Sequence, residues 1–289
     1  LSNWVKPMNF AGSFYPESKG SLDRTLDRFE EEVSADLPKA SGMVLGVVSP
    51  HAGYVYSGAV AAQAFLHVRD LEPDTVVILG LAHRAPLSGV SILEASACAT
   101  PLGELEYDKE FGARLAQKVP FAEYQERAHL SEHSVETQFP FVKRYLPSVK
   151  VVEILTRDDR LLVTEILGKS IADTARELGR KTLVVSSTDL SHYPSMEVAD
   201  EVDHRSLDAL LTLDPGLAAK KIAGIESERR PGVSCAVCST ASVFAGMSAA
   251  IHLGATQATL LGYRNSGMTP PGDANQVVGY GAVAWSRPL

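Results

Sequence analysis

The chain is poor in cysteine, and no part of it is built to enter a membrane. Its three cysteines, Cys98, Cys235 and Cys238, are odd in number and too few to staple a fold. That excludes a disulfide framework and points to a reducing compartment. No apolar run reaches spanning length, and residues 1–7 lack the apolar core of a secretory signal. A cytoplasmic protein with no membrane partner is the expectation. Positive charge is also short. Lys and Arg number 27 against 35 Asp and Glu, a net charge of −8, which leaves no electrostatic footprint for nucleic acid or an anionic surface. Internal repeats, low-complexity tracts and a linker are missing too, so residues 1–289 are read as one domain.

What is present suits a folded protein: 45% of residues are hydrophobic and 21% charged, in a chain long enough to bury its own core. Residues 43–48 form a short apolar run, β-branched on both faces, as in a central parallel strand. It stops at Pro50-His51-Ala52-Gly53-Tyr54, which delivers His51 just past a strand's carboxyl end, where open α/β sheets hold their ligands. The run 75–80 repeats the device and ends at His83. The 32 residues between the two histidines match one βαβ unit, so the spacing predicts neighbouring parallel strands that bring both rings to one sheet edge. A third run, 182–187, leads into Thr188-Asp189-Leu190-Ser191-His192, adding an acid and another histidine.

Between these strands the helical spacing predicts helices over 21–33, with Ser18 or Ser21 as cap, and over 58–68, 111–119 and 161–178, the last closed by Gly179. Helices are also predicted over 200–213, 215–225 and 241–253, and further strands over 105–107, 151–155, 258–263 and 277–285. The span 128–140 starts like a helix and holds His129, Glu132, His133 and Glu136; Glu132 and His129 read as a solvated polar face. Cys235-Ala236-Val237-Cys238 has the spacing of a redox or zinc pair, but no second pair accompanies it. A thiol there, near the start of a helix, is expected to have a lowered pKa and to serve as a soft metal ligand.

Taken together, Ala11-Gly12-Ser13-Phe14-Tyr15, Pro50-His51-Ala52-Gly53-Tyr54, Gly80-Leu81-Ala82-His83, Thr100-Pro101-Leu102-Gly103, Glu132-His133-Ser134-Val135-Glu136, Ser187-Thr188-Asp189-Leu190-Ser191-His192 and Val278-Gly279-Tyr280 resemble the Memo family across nearly the whole chain. The resemblance implies a single α/β domain, a central mostly parallel or mixed sheet flanked by helices, similar to class III extradiol dioxygenases. It implies a pocket holding His51, His83, Cys235 and His192, with Asp189 beside them. In that pocket His51, His83 and Cys235 are the expected metal ligands and His192, Asp189 and His133 the expected catalytic residues, His133 lying with Glu136 in an outer layer. Family members follow that cysteine with Gly and later Pro-Ile, so Cys238 is a competing thiol here.

Two imidazoles and a thiolate suit Fe(II) or copper better than zinc. The expected function is a metal-dependent, dioxygenase-like oxidoreductase acting on a small molecule. A non-catalytic protein that captures metal or a peptide in the same pocket is the alternative, and a metal-dependent hydrolase a third. The resemblance also implies a radical-SAM protein as partner among microbial members. Tyr54, Tyr56 and Tyr193 suggest an aromatic rim, with Arg84 and Arg264 the cations on offer for a phosphate.

Overall fold

The computed structural model describes residues 3–38 and 42–289. The chain runs β1 (Val5–Lys6), α1 (Lys19–Val33), β2 (Met43–Ser49), α2 (Tyr54–Leu66), β3 (Thr75–Leu81), β4 (Val90–Ile92) and β5 (Ala97–Cys98). It continues with β6 (Leu105–Glu106), α3 (Lys109–Lys118), β7 (Ala122–Glu123), α4 (Glu126–Leu130), α5 (His133–Glu136), α6 (Phe139–Tyr145) and β8 (Lys150–Thr156). It closes with α7 (Leu161–Leu178), β9 (Thr182–Ser187), α8 (Met196–Leu210), α9 (Pro215–Ser227), α10 (Thr240–Leu253), β10 (Gln257–Asn265) and β11 (Gly279–Arg287).

Eight strands make one mixed sheet, ordered β10-β11-β2-β9-β3-β8-β4-β7. Its centre, β2-β9-β3-β8, is parallel. All of β9 is buried, and β2, β3 and β8 each leave only one terminal residue partly exposed. Runs such as Val76-Val77-Ile78 therefore have both faces covered, which is why they alternate so little. Helix α10 lies on β2, β3 and β9 and packs along α7, while α2 lies on β2, β10 and β11 and against α6. Phe65 of α2 stacks on Phe141 of α6 with ring centroids 5.4 Å apart. Both rings are fully buried, each stabilising the fold by about 1.5–3 kcal/mol.

The helix ends follow their local chemistry. Ser18 caps α1 by accepting from the Ser21 amide, and Gly179 ends α7 in the left-handed region at φ 62°. Two expectations are corrected. His51 and His83 do not follow neighbouring strands: α7 returns the chain to the middle of the sheet, and β9 is inserted between β2 and β3. Glu132 and His129 are buried, not solvated. The helix expected through them breaks at Ser131 and Glu132, and the extended Glu132 (φ −113°, ψ 125°) caps α5. His129 joins a buried chain in which its Nδ1 and the Lys6 ammonium both bond Glu153, at 2.8 Å and 2.7–2.8 Å, and its Nε2 meets the Ser91 hydroxyl. This chain ties β1 of a small sheet, ordered β1-β5-β6, to β8 of the large one.

Candidate functional site

The carboxyl ends of β2, β9 and β3 lie side by side, and each passes into a loop that carries a reactive side chain. The tautomers of two histidines follow from their neighbours. Ser187 Oγ donates its proton to the Ser134 carbonyl at 2.6 Å, so toward His51 it accepts, at 3.0 Å, and His51 carries its proton on Nδ1. His83 donates from Nδ1 to Glu132 Oε1 at 2.9 Å, and its amide donates to Oε2 at 2.6 Å. Both Nε2 lone pairs are thereby left free. They converge on Cys238, whose Sγ is 3.3 Å from His83 Nε2 and 3.7 Å from His51 Nε2. The three ligand atoms lie within 4.8 Å of one another.

The electrostatics keep two of the site's rings, His51 and His133, neutral. Burial, reinforced by neighbouring His83, holds His51 down at about pH 3. Burial and neighbouring His51 hold His133 down at about 3 as well. Burial pushes Glu132 up, but the hydrogen bonds from His83 and from the Ser134 amide outweigh it and hold the carboxyl at about 2. An imidazole N–H braced by a carboxylate, as His83 is by Glu132, is the arrangement that orients a metal-binding ring and makes it more basic.

The cysteines are exchanged relative to expectation. The loop of Cys235 and Cys238 is laced to the loop after β9: His192 N–H donates to Cys235 O at 3.3 Å, Ser234 N–H to His192 O at 3.0 Å, and Cys238 N–H to Asp189 O at 3.0 Å. This lacing brings Cys238 to the two histidines and leaves the Cys235 thiol 3.4 Å from His192 Nδ1. Cys238, not Cys235, is grouped with His51 and His83. The lowered thiol pKa expected beside a helix start is not found either. Burial, helped by the charge of Asp189, pushes Cys238 up, and burial pushes Cys235 up to about 11.

The other expected residues divide. A cavity of about 450 Å³ opens beside the cluster, and His133, Asp189 and His192 all line it. Asp189 accepts the His51 amide on Oδ1 at 2.8 Å. His192 Nδ1 instead reaches the Leu190 carbonyl at 3.1 Å. His133 stacks on His83 at 4.7 Å and on Phe14 at 4.5 Å. Glu136 faces away from it, accepting from the Asn9 and Phe10 amides and the Tyr15 hydroxyl. Tyr56 and Tyr193 line the cavity, whereas Tyr54 is buried and donates to the Thr137 carbonyl at 2.7 Å.

Three contributors are given no role at the site by the sequence: Glu132 and Ser187, which open two of the matched motifs, and Gln138, whose amide donates to the Pro50 carbonyl and Ser187 Oγ. Glu132 has a local signal, since an acid two residues before Ser134 in a chain leaving a helix is placed to cap the next one. Ser187 and Gln138 carry none, because their roles depend on which strands are adjacent.

Comparisons with known proteins agree with this geometry in fold and family. A family model described as Memo-like protein matches residues 6–284. A MEMO1 family protein of Methanothermobacter thermautotrophicus is 34% identical over 275 residues, covering 93% of this chain and 96% of the relative. One from Methanopyrus kandleri is 36% identical over 285 residues, covering 96% and 97%. In the solved structure of an uncharacterized protein of Escherichia coli K12 the fold recurs at 9% identity, with a TM-score of 0.51 over 83% of this chain and 99% of that one.

Proposed function

The chain belongs to the Memo-like protein family, and from that premise we propose that it is an iron- or copper-dependent oxidoreductase, dioxygenase-like, acting on a small molecule. The observation that carries this reading is the convergence of the His51 and His83 Nε2 lone pairs with the Cys238 thiol beside an open cavity. The donor set fits such a metal: two imidazoles, each braced at Nδ1, and one soft sulfur favour iron or copper over magnesium or calcium, with zinc the lesser fit. Held by His51, His83 and Cys238, such a metal would supply redox and Lewis-acid chemistry toward a substrate in the cavity.

The protein's own groups supply the rest. Cys238 gives up its thiol proton on ligation, so metal binding tightens as pH rises. His192, with Nδ1 committed to the Leu190 carbonyl, offers Nε2 to take or return a substrate proton. Asp189 holds the His51 backbone in place. His133 forms the wall between Phe14 and His83.

The test is elemental analysis of anaerobically purified protein. Near-stoichiometric iron or copper is expected in wild type and Cys235→Ser, with loss in His51→Ala and Cys238→Ser. His192→Ala should keep the metal and lose oxygen-dependent turnover. Wild-type protein that holds neither metal, and recovers none on adding Fe(II) or Cu(I), would leave a peptide- or ligand-binding protein in its place.

A further inference from the structure

The cavity beside the cluster carries one sign of formal charge. Among the described residues its carboxylates are Asp189 and Asp273, and no Lys or Arg lines it. Arg264 is paired with Glu32, and Arg84 lies over the Phe10 ring at 5.5 Å. Its walls include four aromatic rings, Phe14, Tyr56, Tyr193 and Tyr280. Two features show that this lining is held in place. Tyr193 has φ 74°, a region seldom adopted by any residue but glycine, and is pinned there by donating its amide to the Val277 carbonyl at 2.7 Å, with its side chain half exposed. Asp273 accepts from both the Asn275 amide and its side chain on Oδ1, each at 2.9 Å, which fixes the carboxylate and leaves Oδ2 for a ligand.

Ring faces and carboxylates attract the same kind of group. A cation over an aromatic face is stabilised by the ring quadrupole, more strongly when partly desolvated, and a nearby carboxylate adds direct attraction. In the metal-free protein an anionic ligand would meet repulsion from two acids with no Lys or Arg in the lining to offset it. We propose that the cavity binds a small organic cation, an ammonium compound, with its charged head between Asp273 and the tyrosine rings and the remainder directed toward the histidines. The inference rests on reading the cavity as the substrate site, but binding itself requires neither metal nor turnover.

The test uses the metal-free full chain, titrated calorimetrically with choline and with 3,3-dimethylbutan-1-ol, which has the same shape with carbon in place of the charged nitrogen. Choline is expected to bind at least about tenfold more tightly. Asp273→Asn and Tyr193→Ala should each reduce that preference severalfold, and Asp273→Glu, which keeps the charge, should retain it. Equal binding of the two compounds overturns the proposal, as does a preference untouched in both Asp273→Asn and Tyr193→Ala. Choline preference in a protein that never takes up iron or copper would sink the oxidoreductase reading and leave this one standing. Metal uptake without cation preference gives the reverse.

Discussion

Glu132→Gln probes the cluster through a residue outside it. The carboxylate accepts three hydrogen bonds: Oε2 takes the His83 amide at 2.6 Å, while Oε1 takes His83 Nδ1–H at 2.9 Å and the Ser134 amide at 2.8 Å. A carboxamide of the same size has one acceptor oxygen and one donor nitrogen, so one backbone N–H must face an NH₂ in either orientation. Leaving that buried donor unsatisfied costs about 1–3 kcal/mol. With the NH₂ toward the ring, Nδ1 becomes an acceptor, the proton moves to Nε2, and the lone pair aimed at Cys238 is lost. Loss of such a brace typically weakens metal binding about 10–100-fold. The assay is a urea midpoint on metal-free protein beside an iron titration of the same samples. The pH dependence adds a check. The folded-state pKa of Glu132 is about 2 against an ordinary 4.5, so its stabilisation is in full force above 4.5 and fades as pH falls toward 2. Wild type and variant should converge over that interval. A variant that matches wild type in both midpoint and iron affinity at neutral pH would refute the reasoning.

Three further outcomes are expected elsewhere. A Cβ at Gly80 would lie 2.5 Å from Val135 Cγ2 and 2.6 Å from Ser134 Oγ, so Gly80→Ala should push α5 off β3, cost about 1–3 kcal/mol and weaken metal uptake; an unchanged melting temperature would contradict this packing. Lys6→Met strands the fully buried Glu153 with His129 alone and should cost about 3–5 kcal/mol, whereas Lys6→Met with Glu153→Leu should recover part of the loss; a double variant less stable than the single would count against the pairing. Burial raises Asp203 to about 6 although Ser191 N–H and the Tyr263 hydroxyl both donate to it. Its folded state therefore binds the proton more tightly than the unfolded chain, and wild-type stability should fall as pH rises from 3.8 to 6, by up to about 3 kcal/mol. Asp203→Asn should lack that slope, which urea midpoints at pH 4 to 7 would reveal; identical slopes would assign it to other groups.

Much of the fold is legible because the central strands are buried on both faces and read as unbroken apolar runs; 182–187 coincides with β9, and 161–178 with α7 and its glycine stop. The site is legible only where a motif sits at a strand end, as with His51, His83, Asp189 and His192. It is not legible where long-range pairing decides. Cys235 and Cys238 are three residues apart in a turn, and nothing local says which thiol faces inward; the hydrogen bonds to Asp189 and His192 on another loop settle it. His129 and Glu132 are ambiguous for a related reason. A polar residue on a short helical pattern looks solvated unless its partners, Glu153 for one and His83 for the other, are known to be adjacent.

The insertion of β9 between β2 and β3 does more than bring a third loop to the edge. Ser187 at its end braces His51, and the proton of Ser187 is taken up by the carbonyl of Ser134. The amide of that same Ser134 donates to Glu132, which braces His83. One peptide segment at the start of α5 therefore sets the tautomers of both histidines, one through its C=O and one through its N–H. Gly80 lets that segment approach β3 closely enough to do so. It follows that the two imidazoles should respond together: a perturbation of α5 should weaken both nitrogen ligands at once, whereas a substitution at Ser187 should affect His51 alone.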